Sequence, residues 1–481
     1  MTNDLLELAN DNERHCERGS FARYLRMDNT MNHTVNHDTA LLMPDIEVRI
    51  YRKILLRIIP IVMLGMFISY IDRANLGVLA KPMSADLGLT AATFGLAAGF
   101  FYVGYCFFEV PSNMALAKFG ARRWIARIMV SWGVVTMLMA LVQNDVTFYI
   151  CRTMLGIAEA GFSPGALLFL AIWCPPRLLT RAYSMVNLAV PIALAVGSVI
   201  TASLLVLDGT FGLAGWRWVF LIEGVPAILL GIFIWFRLPS TPKDAAWLDE
   251  SEKAYLAETG VQNDSAKAHE VRQLVAALKR PAVWLFVALY FCMTIGYWSL
   301  TYFLPTIVGE RFDVGPAGAG FISALPWAFA ALVMLVVPKT VGRTGDRRWH
   351  LTALQIAGGI GLAFAATTGS GVGALIGISF AAAGFFGSLS TFQSMQAQVF
   401  AGGLAAVALA MVNGLASLSG LAGPYVMGVL KDTTGSTNSG LLIMSAFFVI
   451  AAVMINIMTR WADRLTGGIA GTAARPLDRV S

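Results

Sequence analysis

Four ionisable residues sit inside otherwise apolar stretches: Asp72 and Arg73 side by side in one, Arg152 and Glu159 seven positions apart in another. Seven residues is close to two helical turns, so Arg152 and Glu159 return to one helix face. A guanidinium stays protonated and meets a carboxylate with two parallel hydrogen bonds, which makes Arg73 and Arg152 the groups to attract an organic anion. A carboxyl group in a low-dielectric cavity prefers its neutral form, and an arginine beside it prefers the charged one. An anion that engages the arginine therefore changes the proton affinity of the acid, and Asp72 and Glu159 are expected to carry the proton. The competing reading is a static ion-pair network that locks the two stretches together. Two more acids lie near the ends of their stretches and read as structural: Glu109 in Glu109-Val110-Pro111-Ser112-Asn113, and Glu223 after Trp216-Arg217-Trp218.

The stretches themselves set the scale of the problem. Of 481 residues 57% are hydrophobic and only 13% charged, against about a quarter charged in soluble domains, which excludes a water-soluble enzyme. Breaks at charges, prolines and glycines delimit twelve apolar segments, at 57–80, 92–117, 123–143, 146–173, 182–206, 217–238, 282–308, 317–338, 350–369, 372–398, 404–430 and 439–460. Each is long enough to cross the hydrocarbon layer as a helix, the one open structure that satisfies its own backbone there. The expected organisation is a disordered cytoplasmic segment 1–50, a six-helix bundle 51–238, a polar cytoplasmic linker 239–280, a second six-helix bundle 281–460 and a cytoplasmic tail 461–481. No signal peptide precedes the first segment, and Met27, Met31 and Met43 are additional candidate starts.

Lysine and arginine collect before the first segment (Arg49, Arg52, Lys53, Arg57) and after the second, fourth and eighth, which places both termini and the linker in the cytoplasm and the chain in the inner membrane. The net charge of +6 follows from the same residues and implies no nucleic acid. Gly120-Ala121-Arg122-Arg123-Trp124 recurs as Gly345-Asp346-Arg347-Arg348-Trp349 at the corresponding place in the other half, the mark of an internal duplication. Duplicated halves around a midplane site define alternating-access transporters. Arg122, Arg123, Arg347 and Arg348 are candidate gate residues, with a plain positive-inside surface as the alternative. The second half offers neutral polar groups instead of charges: Tyr297 with Trp298, then Gln393, Gln396 and Gln398, then Asn413 and Ser417 four apart on one face. Facing a midplane cavity, they would hold substrate hydroxyls.

The local sequence resembles the anion:cation symporter family of the major facilitator superfamily. The resemblance runs over residues 48–460 and is carried by Ile71-Asp72-Arg73-Ala74-Asn75, by Pro111-Ser112-Asn113 through Trp124, by Arg152 through Gly165, by Gly215 through Gly224, and by Asn413 with Gly423-Pro424-Tyr425. It implies an all-α integral membrane protein with twelve transmembrane helices in two pseudo-symmetric six-helix bundles, importing a small organic acid with protons or sodium. By resemblance, Asp72 and Glu159 match protonation positions, and Arg73, Arg152 and Asn413 match substrate positions. The sequence departs from the pattern at Ala117 and Gly342, where the superfamily loop carries an acid, at Gln393 and Gln396, where relatives often have Trp and Pro, and at Ser417, where a second Asn is usual.

The expected activity is thus proton symport of a small organic anion by a monomer with no cofactor and no metal; sodium coupling or exchange is the nearest alternative. A membrane-embedded enzyme would need histidines or a nucleophile–base pair inside the segments, yet His15, His33, His37, His269 and His350 all fall outside them or at an edge. The five cysteines are unpaired in spacing and read as small hydrophobes. Unequal halves argue against a symmetric pore.

Overall fold

The structure, a computed structural model, describes residues 45–259, 277–400 and 405–465. The expectations made for 1–44, for residues 260–276 of the linker, for most of the tail, and for His15, His33, His37 and His269 lie outside the described residues. Among the described residues every regular element is helical, and twelve helices are long and apolar enough to cross a membrane. These spans, numbered 1 to 12, are Ile59–Leu87, Ala91–Leu116, Ala121–Leu141, Asp145–Trp173, Arg181–Leu207, Gly215–Arg237, Pro281–Phe312, Pro316–Thr344, Arg347–Thr367, Gly371–Gln396, Val407–Thr434 and Asn438–Met458. Residues 49–452 form one compact unit, which holds every contact described below.

Local chemistry sets the ends. Spans 1, 8 and 11 stop at Gly88, Gly345 and Gly435, each in the left-handed conformation that glycine adopts without a Cβ penalty. Side chains of Thr90, Asn144, Asp346 and Ser370 accept from the first-turn N–H groups of spans 2, 4, 9 and 10, donors that have no intrahelical partner. Consecutive spans reverse direction, so Gly88 marks one end of the bundle and Gly120 the other.

Spans 1 and 5, 2 and 4, and 3 and 6 pack against one another in the first half, and spans 8, 9 and 10 in the second. The halves meet where span 2 runs antiparallel to span 11, span 5 lies on span 8, and span 1 on span 7.

Three details differ from the sequence reading. The helix Asp45–Arg57 occupies part of the stretch expected to lack structure. The linker carries a helix, Glu250–Thr259, started by a reciprocal box in which Asp249 accepts from Glu252 N–H at 2.8 Å and Glu252 accepts from Asp249 N–H at 3.0 Å. The bonds from Ser251 and from Glu252 N–H hold the Asp249 carboxyl below the usual carboxylate range. Lys53 reaches Glu252 at 2.6 Å, so the helix before span 1 anchors the linker. Finally, span 4 is two helices, Asp145–Glu159 and Phe162–Trp173, broken at Ala160 and Gly161. Ala160 is extended and Gly161 has φ +83°, and a Cβ on Gly161 would lie 2.4 Å from Ser112 Oγ. A residue with a side chain would be strained here and would also push span 2 away.

Candidate functional site

The break in span 4 places Glu159 at the last turn of a helix, where exposed carbonyls make the end negative. Its carboxylate needs a cation, and Arg73 supplies one: the two form an ion pair in which Arg73 is 4% exposed and Glu159 1%. Ser69 Oγ, one turn before Arg73, donates to the same carboxylate oxygen at 2.5 Å. The guanidinium is caged by aromatic rings, with centroids of Tyr70, Phe101, Trp298 and Tyr105 at 4.5, 5.1, 5.6 and 5.9 Å. Rings desolvate the cation while their π faces partly replace its hydration, which concentrates its field on the acid.

Arg152 lies two turns toward the Gly88 end and is held differently. One nitrogen donates to Ala98 O and to Tyr302 Oη, both at 3.3 Å, and its Nε has no partner. The group is 1% exposed, with Phe101 5.0 Å beneath it. Among the described residues no carboxylate lies within ion-pair distance of it. A buried guanidinium bonded only to neutral oxygens is an unusual expense of desolvation, and a carboxylate is the group it is shaped to meet.

Rings continue the cluster into the second half. Tyr302 Oη meets Tyr102 Oη at 3.1 Å, the Tyr102 ring lies 4.7 Å from Trp298, and Trp298 lies 4.5 Å from Tyr297. Tyr297 stacks on Phe385 at 4.3 Å, and its hydroxyl is buried without a partner. Arg73, Arg152, Glu159 and Tyr297 therefore belong to one continuous arrangement at the contact between the halves.

Asp72 does not join them. It faces span 3, where Trp132 Nε1 and Thr136 Oγ1 donate to its Oδ2, and its Oδ1 has no partner. Adjacent residues on a helix point about a quarter-turn apart, so Asp72 and Arg73 serve different neighbours. The four charges are thus an ion pair that joins spans 1 and 4, as the competing reading expects of a structural lock, together with a separate arginine and a separate acid that take no part in it.

The neutral candidates are spread out. Gln393 accepts from Asn187 of span 5 at 2.8 Å, Gln396 is buried with its Nε2 unpartnered, Asn413 is exposed, and Ser417 donates to Gly414 O of its own helix at 2.6 Å. Side-chain contacts of Gln398 lie outside the described residues. Of the loop arginines, Arg123 is exposed, the Arg122 Nε is buried without a partner, and Arg348 stands over Trp349 at 5.2 Å. Arg347 sits beside it at the same end.

Sequence reasoning passed over Tyr70, Phe101, Tyr102, Tyr105 and Tyr302. A signal existed for some of them: Phe101, Tyr105 and Glu109 recur every four residues, one face of span 2. It also passed over the role of the Pro-Ser-Asn motif, where Ser112 accepts from Trp124 Nε1 at 3.0 Å while filling the space left by Gly161.

Comparison with known proteins bears on the family and the fold. The Major Facilitator Superfamily family model matches residues 62–424. A putative tartrate transporter of Agrobacterium vitis is 38% identical over 426 residues, covering 89% of this chain and 98% of that protein. A quinolone resistance transporter of Acinetobacter baumannii is 34% identical and covers 87% of this chain and 97% of its own. Among solved structures the D-xylose–proton symporter aligns with a TM-score of 0.67 at 15% identity, over 83% of this chain and 97% of that one. The chain belongs to the Major Facilitator Superfamily, and is a multi-pass membrane protein of the transporter class and not an enzyme.

Proposed function

We propose that the protein imports a small organic anion bearing a carboxylate, by proton symport with alternating access. The observation that carries this is Arg152, a fully buried guanidinium whose hydrogen-bond partners are all neutral. Arg73 adds the coupling. An incoming carboxylate that shares Arg73 weakens its hold on Glu159, and a buried carboxylate deprived of its cation takes up a proton. Anion and proton then load together. Asp72 is the second candidate carrier, acting from the face of span 1 that meets span 3, without touching the anion.

The relative named for tartrate makes a short hydroxy-dicarboxylate the first substrate to try, with Tyr297, Gln393, Gln396, Asn413 and Ser417 supplying polar contacts from the second half. The Gly120 end, with the linker and the loop arginines Arg122, Arg123, Arg347 and Arg348, faces the cytoplasm of a cell whose inner membrane holds the protein as a monomer. The coupling ion is the proton; a sodium-coupled or exchanging carrier is the alternative.

Purified protein in liposomes tests this with labelled tartrate. Saturable accumulation under an inward proton gradient, blocked by a protonophore and indifferent to sodium, is the expected result. Accumulation that follows a sodium gradient alone would overturn proton coupling, and failure of a panel of hydroxy acids to bind or compete would overturn the substrate class.

A further inference from the structure

Glu223, in span 6, is 5% exposed, and among the described residues no cation lies within ion-pair distance of it. Its Oε2 meets Asn75 Nδ2 at 2.7 Å and its Oε1 meets Thr201 Oγ1 at 2.8 Å. Asn75 is fully buried, and its own Oδ1 has no partner. These two partners share a property that the partners of Glu159 lack. An arginine only donates, so it holds Glu159 as a carboxylate. A carboxamide has a donor end and an acceptor end, and a hydroxyl both donates and accepts. Turning the Asn75 amide by half a revolution exchanges its Nδ2 for the orphan Oδ1, which accepts from a protonated Glu223 as well as Nδ2 donates to an ionised one. Either state of the acid finds the same number of hydrogen bonds, and neither is locked by charge.

The surroundings leave little else to hold an ion. Span 3 gives Trp132 and Thr136 to Asp72, span 5 presents Thr201 to Glu223, and the short turns Met139–Leu141 and Leu205–Leu207 are apolar. Of the charged groups on the packed elements, Asp72, one helical turn from Asn75 on span 1, is the one that acts on Glu223; Arg73 is turned to Glu159, Lys81, Asp86 and Arg217 lie toward the Gly88 end, the last two 3.7 Å apart, and Arg122, Arg123, Arg127 and Arg181 with Tyr183 lie toward the Gly120 end. Asp72 likewise keeps an unpartnered buried oxygen, Oδ1. An uncompensated carboxylate in such a place costs far more than a protonated one.

We propose that Glu223 is a second proton-binding site, tied by Asn75 to the helix that carries Asp72 and Arg73. In the protonated state Glu223 donates to Asn75 Oδ1; on release, one proton leaves to water and the carboxylate accepts from Asn75 Nδ2. The site lies on the side of span 1 away from the ion pair of Arg73 and Glu159, so it reads the position of span 1 and not the substrate. Its proton binding stands independently of the transport reading; its share in coupling rests on that reading.

Infrared spectroscopy of the full chain in lipid nanodiscs, titrated from acid to alkaline pH without any substrate, tests the binding. The protonated-carboxyl band should disappear in a step that Glu223→Gln removes and that Asn75→Leu displaces along the pH axis. Gln retains both hydrogen bonds, and a thermal unfolding curve checks its fold; Glu223→Asp, expected to keep the step at a shifted midpoint, serves if Gln does not fold. An unchanged carboxyl signal in Glu223→Gln overturns the proposal. In proteoliposomes Glu223→Gln should lose proton-driven tartrate accumulation while retaining tartrate exchange, and accumulation equal to the parent's overturns the coupling role. A parent that shows no proton-driven uptake counts against the symport reading alone and leaves the infrared step as the judge of the site.

Discussion

On the proposed symport reading, replacement of Arg152 and of Glu159 should separate binding from coupling. Truncating one partner of a buried, hydrogen-bonded charge pair costs about 2–5 kcal/mol, which is roughly a thirty-fold to several-thousand-fold loss of affinity. Arg152→Ala is therefore expected to bind tartrate that much more weakly by calorimetry while inserting normally. Lys in its place should recover only part of the loss, since an ammonium is a point charge and cannot bond a carboxylate with two parallel N–H groups. Unchanged affinity in Arg152→Ala would remove it from the site. Glu159→Gln preserves shape and Ser69's hydrogen bond but cannot titrate. Net uptake under a proton gradient should vanish and labelled exchange survive, and a Gln variant that concentrates tartrate like the parent would leave Glu159 structural. These charges were legible in the sequence because an ionisable group in an apolar stretch demands a reason. Their partition was not. Whether Asp72 meets Arg152 or Trp132 depends on which way span 1 is rotated, and Tyr70, Phe101 and Tyr302 look like any other bulky apolar residue until rings surround a guanidinium.

At the level of elements, the twelve spans could be read from composition, and the break in span 4 could not. Gly161 sits in Ala160-Gly161-Phe162, a string that continues a helix as readily as it interrupts one. What decides is Ser112 on a neighbouring span, too close to admit a Cβ. Gly161→Ala combines that clash with a left-handed backbone that costs about 1–2 kcal/mol for a non-glycine residue. Its thermal midpoint is expected to fall, with weaker Arg73–Glu159 pairing and lower uptake; an Ala variant with the parent's stability and activity would contradict the account of the break. A second element-level device closes the Gly88 end. Asp432, at the end of span 11, accepts from the N–H groups of Ala91 and Ala92 at 3.0 and 2.8 Å, capping span 2 from the opposite half. A carboxylate on a helix N-terminus is worth about 0.3–1 kcal/mol at an exposed site. Asp432→Ala should therefore shift the balance toward separation at this end by roughly two- to five-fold, read as a longer mean distance between spin labels on cysteines replacing Phe211 and Gly369. Identical distance distributions would show that the cap holds nothing shut.

For the whole molecule, the question is which close contacts belong to one rigid body and which to a seam that opens. Glycines answer it, because several touch backbone where a Cβ has no room. Gly95 would place one 2.2 Å from Pro424 O, Gly428 one 2.2 Å from Ala91 O, and Gly320 one 2.7 Å from Ala202 Cβ. All three join the first half to the second, on the side of the bundle toward Gly88. Gly156 would come within 2.0 Å of Phe101 O and Gly377 within 2.2 Å of Gly361 O, and both of these join spans of the same half. The clashes at Gly95, Gly428, Gly156 and Gly377 are all with backbone oxygen and alike in size, that at Gly320 being milder, so a static protein would suffer alike from Ala at any of the four. An alternating-access carrier would not, since rocking one half against the other relieves the seam and leaves the interior contacts closed. Ala at Gly95 or Gly428 is expected to leave the thermal midpoint near the parent's, lengthen the Phe211–Gly369 label distance and shorten that between labels replacing Phe119 and Trp349 at the other end. Ala at Gly156 or Gly377 is expected to lower stability, with both distances unchanged in the folded fraction. If seam and interior variants lose stability equally and no distance moves, the two halves do not rock about this contact, and transport must proceed by another motion.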